Sequence, residues 1–214
     1  PSLALSLLFL LLAFTRPAVA GLPFNIGAVE AQLDTAFDYS LLWATENPDS
    51  DLIGANNGGR GLSTASDDAR LNYGRDDSIS RRFSGFNALE LRYQDSGAYL
   101  SGRYWYDFAL QDDQLPFRQI DDGGRQQGAK SSGAEFLEAF VYQRYQLEQQ
   151  PGEVRFGRQT LNWGEGLFIG NALNQLNPQQ VSAYRQPATP LGAGFLPSNL
   201  LHLSQSLGER WQIE

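Results

Sequence analysis

From Val29 to Trp43 the side chains alternate in character without a break. The odd positions hold Val29, Ala31, Leu33, Thr35, Phe37, Tyr39, Leu41 and Trp43, and the even ones Glu30, Gln32, Asp34, Ala36, Asp38, Ser40 and Leu42. Successive side chains of a strand point to opposite faces, so this stretch has one continuous apolar face and one acidic, polar face. A soluble strand usually runs about 5–6 residues. A run this long fits a tilted membrane-spanning strand, which needs about 9–11 residues, with overhang. A long edge hairpin in a soluble sandwich is the weaker reading.

The pattern recurs along the chain. Residues 87–93 set Leu89, Leu91 and Tyr93 against Glu90 and Arg92, and Gln94-Asp95-Ser96-Gly97 follows with turn chemistry. Residues 98–110 place Leu100, Tyr104, Tyr106 and Phe108 on one face and Tyr99, Arg103, Trp105 and Asp107 on the other. A fourth strand is expected over 135–147, with Leu137, Ala139, Val141, Tyr145 and Leu147 opposite Glu138, Phe140, Tyr142 and Arg144. A second turn at Gln149-Gln150-Pro151-Gly152 leads into a fifth strand, 153–163. There a bulge is expected at Gly157, because Arg158 shares a face with Val154 and Phe156. A sixth strand is expected to begin near 207–214.

Connection lengths sharpen this reading. Short turns alternate with long links at roughly 46–82, 111–133 and 164–200. Outer-membrane barrels have short periplasmic turns and longer extracellular loops, whereas a sandwich has no reason to sort its connections in this way. The expected fold is all-β: an antiparallel transmembrane β-barrel, incomplete and represented by its N-terminal strands only, with long extracellular loops. Trp43 and Phe108 then fall near the outer rim and Tyr93 near the inner one, where amphipathic rings favour the interface. About five strands and the start of a sixth cannot close such a barrel, because the smallest have eight. The C-terminus, ending at Trp211-Gln212-Ile213-Glu214, is therefore expected to be truncated.

The first 20 residues read as a signal peptide. An apolar run from Leu3 to Phe14 is followed by Arg16-Pro17 and Ala18-Val19-Ala20, which predicts cleavage after Ala20. That run is too short for the roughly 20 residues of a spanning helix. The chain has no Met, so its initiator is expected to be missing as well. Export suits the absence of Cys. The expected location is the bacterial outer membrane.

Composition removes several functions. There is no Cys and only one His, His202, so thiolate zinc sites, cysteine nucleophiles and multi-histidine metal sites are excluded. A net charge of −8 argues against nucleic acid as a partner. No Gly-x-Ser-x-Gly elbow occurs, and His202 has no recognisable Ser and Asp partners, so no catalytic residue, cofactor or enzyme activity is expected. The glycine-rich stretch Asn56–Gly61 lacks the Gly-Lys-Ser/Thr ending of a phosphate loop and reads as a turn. Four Asp-Asp pairs, Asp67-Asp68, Asp76-Asp77, Asp112-Asp113 and Asp121-Asp122, match no EF-hand spacing and read as a solvated acidic loop face.

The face opposite the apolar stripes carries Glu90, Arg92, Arg103, Asp107, Glu138, Arg144 and Arg155. In a barrel these line the lumen, where charge tunes selectivity, and they also pair across strands to fill a polar interior. Trp105, Phe140 and Tyr142 stand among them, which points to a greasy or aromatic solute. The segment 164–200 is too apolar to dangle in water, so it is expected to fold back as a constriction or plug.

The run Asp51-Leu52-Ile53-Gly54-Ala55-Asn56-Asn57-Gly58-Gly59-Arg60, then Asp68 and Leu71-Asn72-Tyr73, is joined by Gly157-Arg158-Gln159, Trp163-Gly164-Glu165, Phe168-Ile169, Asn174 and Asn177-Pro178. This ordered set resembles the DUF1302 family of Gram-negative outer-membrane proteins, porin-like barrels of unknown function. The resemblance covers the family's N-terminal portion. It implies an envelope permease system as a partner and the movement of lipid-like or other hydrophobic compounds; it supplies no catalytic residues. The functional expectation is an outer-membrane channel or transport component, in contact with outer-membrane lipid, for a small hydrophobic solute. The alternative is a surface-exposed binding or adhesion barrel acting through its acidic loops.

Overall fold

The structure is a computed structural model describing residues 21–62, 67–161, 176–185, 194–208 and 210–214. Residues 1–20, read as a signal peptide, and much of 164–200 lie outside the described residues. Eight strands form one antiparallel sheet in which each strand pairs only with its neighbours in sequence. They are β1 (Leu22–Ile26), β2 (Val29–Trp43), β3 (Ser78–Tyr93), β4 (Ser96–Asp107), β5 (Ser132–Leu147), β6 (Gln150–Gln159), β7 (Ser198–Leu207) and β8 (Trp211–Ile213). The sheet is open, and no described helix is long and apolar enough to cross a membrane. Two short helices, α1 (Asp68–Asn72) and α2 (Phe108–Gln111), sit in the long connections.

The expected alternation of connections extends to every strand. Gly27-Ala28, Gln94-Asp95, Glu148-Gln149 and 208–210 are tight, and the links 44–77, 108–131 and 160–197 are long. In a meander this puts all tight turns at one end of the sheet and all long links at the other.

Several boundaries depart from expectation for local reasons. β2 spans the expected residues, whereas β3 starts at Ser78, nine residues earlier than the pattern indicated. β4 stops at Asp107 because that carboxylate accepts from the backbone N–H groups of Ala109 and Leu110 (3.1 and 3.3 Å) and turns the chain into α2. Phe108 and Leu110 therefore belong to a helical turn, not to the strand. β8 lies in the region expected to hold the start of a sixth strand, and a further strand, β7, precedes it, beginning at Ser198 within the link expected over 164–200.

Register assigns the faces. The row Leu33↔Leu89, Leu89↔Leu100 and Leu100↔Ala139 runs along the apolar face. A register shift between Leu100 and Gly102 sets Leu137 and Glu138 of β5 opposite Ser101 alone, and the hydroxyl of Ser101 accepts the Glu138 N–H at 3.1 Å. Beyond this bulge Phe136 and Ala134, paired with Gly102 and Tyr104, take the apolar face, in place of the expected Leu137, and Glu135 joins the polar face. The bulge expected at Gly157 is absent. β6 keeps register on β5 through Phe140↔Gly157 and Ala139↔Arg158, with Gly157 at φ +136°, so Arg158 stands exposed among apolar neighbours.

The two faces differ in packing. Phe136, Phe156 and Leu201 on the apolar face are 64–70% exposed, whereas Trp105 and Tyr142 on the polar face are 4% and 8% exposed. Two apolar-face rings, Phe37 and Phe83, stack at 5.9 Å. The ring of Tyr104 covers Gly85, so a side chain at that glycine would displace it.

The β5–β6 turn places Glu148 and Gln149 at φ 50° and 68°, the left-handed conformation a two-residue hairpin turn requires and that ordinary side chains resist by about 1–2 kcal/mol per residue. Replacing Glu148-Gln149 by Asn-Gly is expected to raise stability by about 1 kcal/mol. The midpoint of urea unfolding in detergent micelles measures this; an unchanged midpoint would remove turn strain from the account.

Candidate functional site

The polar face is organised by the pairing rows of β3 to β7. One row runs Glu90↔Tyr99, Tyr99↔Phe140 and Phe140↔Gly157. The next runs Arg92↔Gly97, Gly97↔Tyr142, Tyr142↔Arg155 and Arg155↔His202. Arg144↔Glu153 follows, nearer the tight turns. Gly97 has no side chain, and the ring of Tyr142 lies over it. That lets the Tyr142 hydroxyl reach across β4 and donate to Glu90 Oε1 at 2.8 Å.

These rows build a band of ions and rings. Arg92 donates to Glu90 Oε2 at 3.0 Å. Glu153 accepts from Arg144 Nε at 3.1 Å and from Arg155 Nε. The Arg144 guanidinium sits 5.1 Å from the Tyr142 ring centroid, and that of Arg155 sits 5.7 Å from Phe140. Tyr99 stacks on Phe140 at 5.3 Å. Ion pairs this exposed contribute about 0–1 kcal/mol each, so they orient side chains more than they hold the sheet together.

A second band lies toward the long connections. Trp105 is buried, donates its indole N–H to the carbonyl of Lys130 at 2.9 Å, and lies between Arg82 (5.3 Å) and Arg103 (5.7 Å). Arg103 Nε donates to Glu135 at 2.6 Å, and its Nη2 donates to the side-chain oxygen of Gln180. Gln180 belongs to the described part of the segment 164–200. Its Nε2 donates to the Ser182 hydroxyl at 3.1 Å, and that hydroxyl donates to the Gly128 carbonyl at 3.3 Å. Residues 176–185 therefore contact both the polar face and the connection before β5.

Of the seven residues singled out in the sequence, Glu90, Arg92, Arg144 and Arg155 come together in the first band, and Arg103 lies in the second. Glu138 accepts the Thr160 N–H at 2.9 Å, at the end of β6. Asp107 is buried and capped onto α2, the Arg81 N–H (3.0 Å) and the Ser80 hydroxyl, so it is occupied with structure. Sequence reasoning missed Glu135 and Glu153, although Glu153 shares strand parity with Arg155. Glu135 was hidden by the β5 bulge.

The acidic pairs do more than solvate the loops. Asp67 is buried, and its Oδ2 accepts from the Gly54 N–H and from Asn57 Nδ2, both at 2.9 Å. Asp113 takes both its bonds from Arg81 Nη2 (2.6 and 2.7 Å). Asp122 accepts the Ser131 N–H at 2.8 Å, and Asp121 accepts the Gly123 N–H at 2.7 Å. Asn56–Gly61 forms a turn, with Gly58 at φ +85°. Among the described residues no group of three or more acidic or His side chains could hold a metal ion.

The fold and its surface define a class: an all-β chain with one antiparallel sheet, an exposed apolar face and a charged, aromatic polar face. The chain belongs to the family described as Protein of unknown function (DUF1302), whose model matches residues 2–214. No curated protein and no solved structure matches the chain significantly.

Two outcomes test this geometry. Replacing Tyr142 by Phe and Glu90 by Gln, singly and together, is expected to give a coupling energy of about 1 kcal/mol in urea unfolding; a coupling near zero would remove the bond across Gly97. Hydrogen bonds from Asn57 and then Gly54 hold the Asp67 carboxyl below its usual range. A carboxylate depressed on folding adds stability above its unfolded pKa of about 3.9 and loses it as pH falls through the lower folded value. Protease protection of the 44–77 link should therefore persist as ordinary carboxylates protonate and fail at more acid pH, a lag that Asp67→Asn removes.

Proposed function

We propose that this chain supplies strands of an outer-membrane β-barrel channel for small hydrophobic, lipid-like or aromatic compounds, and that residues 1–20 direct its export. The apolar face carries this reading. Apolar side chains line one face of every strand from β1 to β7, with Leu, Phe, Val or Ile exposed on each but β3, where Phe83, Leu89 and Leu91 are half-buried, and this is the face a barrel turns to lipid. Sorting of all long connections to one end supports it, as does the length of β2, β3 and β5 at 15–16 residues each.

Closure is part of the proposal. Lipid does not tolerate unpaired strand edges, so β1 and the far edge of the sheet must find partners in the assembled protein. The polar face then lines the lumen. Gln180 on Arg103 supports a narrowing role for the segment 164–200, since it ties that segment to a wall strand. Arg158 would stand on the lipid face, where a long cationic side chain snorkels toward the headgroups.

Outer-membrane extracts should show heat-modifiable migration of the protein on SDS gels, and planar bilayers containing it should conduct. Deleting 164–197, which leaves β7 whole, is expected to raise single-channel conductance; unchanged conductance would sink the constriction. Migration insensitive to heating, with no conductance, would overturn the channel reading.

A further inference from the structure

We propose that the Arg144–Glu153–Arg155 cluster on the polar face of β5 and β6 is a binding site for solutes that carry a carboxylate on an aromatic or apolar body. This rests on the channel reading and names the class of solute its wall recognises.

The way the two arginines are paired is the first ground. Both reach Glu153 through Nε alone. A structural Arg–carboxylate pair commonly meets fork to fork, with both oxygens of one carboxylate on one guanidinium. Here one carboxylate is shared, and the terminal nitrogens of Arg144 and Arg155 make no hydrogen bond to any described residue. Each guanidinium keeps the edge that matches a second carboxylate.

Charge is layered in the same sense. The Glu153 side chain is 16% exposed, whereas those of Arg155 and Arg144 are 38% and 58% exposed. The negative charge is sunk between the strands and the positive charge faces outward. Glu90, the other carboxylate of this band, is occupied by Arg92 and Tyr142. A recess of about 390 Å³ opens beside Arg144, bordered by Glu153, Ser204, Ser206 and, at the turn, Asp95.

The rings supply the rest of the specificity. Each arginine lies over an aromatic face, Tyr142 or Phe140, and Tyr99 extends that surface by stacking on Phe140. A guanidinium 5.1–5.7 Å from a ring centroid has its donors beside apolar surface. An anion with an apolar body satisfies both features, whereas inorganic phosphate satisfies only the charge.

The test is titration calorimetry on the full chain refolded in detergent micelles, with benzoate, benzyl alcohol, benzylamine and inorganic phosphate as probes. Benzoate should bind about tenfold more tightly than benzyl alcohol, with benzylamine and phosphate weaker still. In R144Q/E153Q/R155Q, which keeps polar side chains and removes the whole charge cluster, benzoate should fall to the level of benzyl alcohol. If that variant loses its heat-modifiable form, R155K replaces it: the charge stays, the fork is lost, and the benzoate preference should shrink. Equal binding of benzoate and benzyl alcohol, or a preference surviving in the variants, overturns the proposal. Benzoate binding without conductance would leave this site standing and remove the channel; conductance without discrimination by charge would do the reverse.

Discussion

Backbone pairing between strands adjacent in sequence is the constraint on which the rest of the molecule depends. Every interior strand from β2 to β7 pairs with a neighbour on each side, although β2 meets β1 only over Val29–Leu33 and β7 meets β8 only over Gln205–Leu207. In a medium without water an unpaired backbone group costs several kcal/mol, far more than any surface ion pair described here contributes. The β4–β5 bulge shows how closely the requirement is met. One extra residue displaces the ladder, and the hydroxyl of Ser101 accepts the backbone N–H of Glu138.

Once the ladder is set, the two-residue period distributes chemistry. On one side Leu, Phe and Val stand exposed, with little packing among themselves. On the other, large polar and aromatic side chains touch across two or three strands. Tyr142 reaches Glu90 because Gly97 leaves room between them, and Glu153 gathers two arginines because their strands run side by side. Small residues on this face work as gaps that let long side chains span a strand.

How much of this could be read in the sequence varied with the purity of the alternation. β2 was legible to the residue, because its apolar and polar positions never exchange places by more than an Ala or a Leu. β3 was legible only over its second half. Its first half carries adjacent Arg81 and Arg82 and ends at Gly85, whose apolar role is filled by Tyr104 of the next strand. β1, only five residues long, was missed. The β5 bulge was invisible because Phe136 and Leu137 are both apolar, and the shift between them hid Glu135. The charged residues of the polar face could be listed from parity, but which carboxylate serves which arginine depends on register across strands. The capping role of Asp107 was not legible for a related reason: a strand-terminal Asp satisfies parity and caps a helix equally well.

One contact in the long connections reaches beyond stability. Asn72, at the end of α1, receives the backbone N–H groups of Phe117 and Arg118 (3.2 and 2.8 Å) and donates to the Arg118 carbonyl at 2.8 Å. The first long link thus holds the second by its main chain, whatever side chains that second link carries. Such a clasp fixes the path of the chain at 117 and 118 through main-chain atoms. The course of one link is then set by a side chain of the other, so the two long connections keep a common shape.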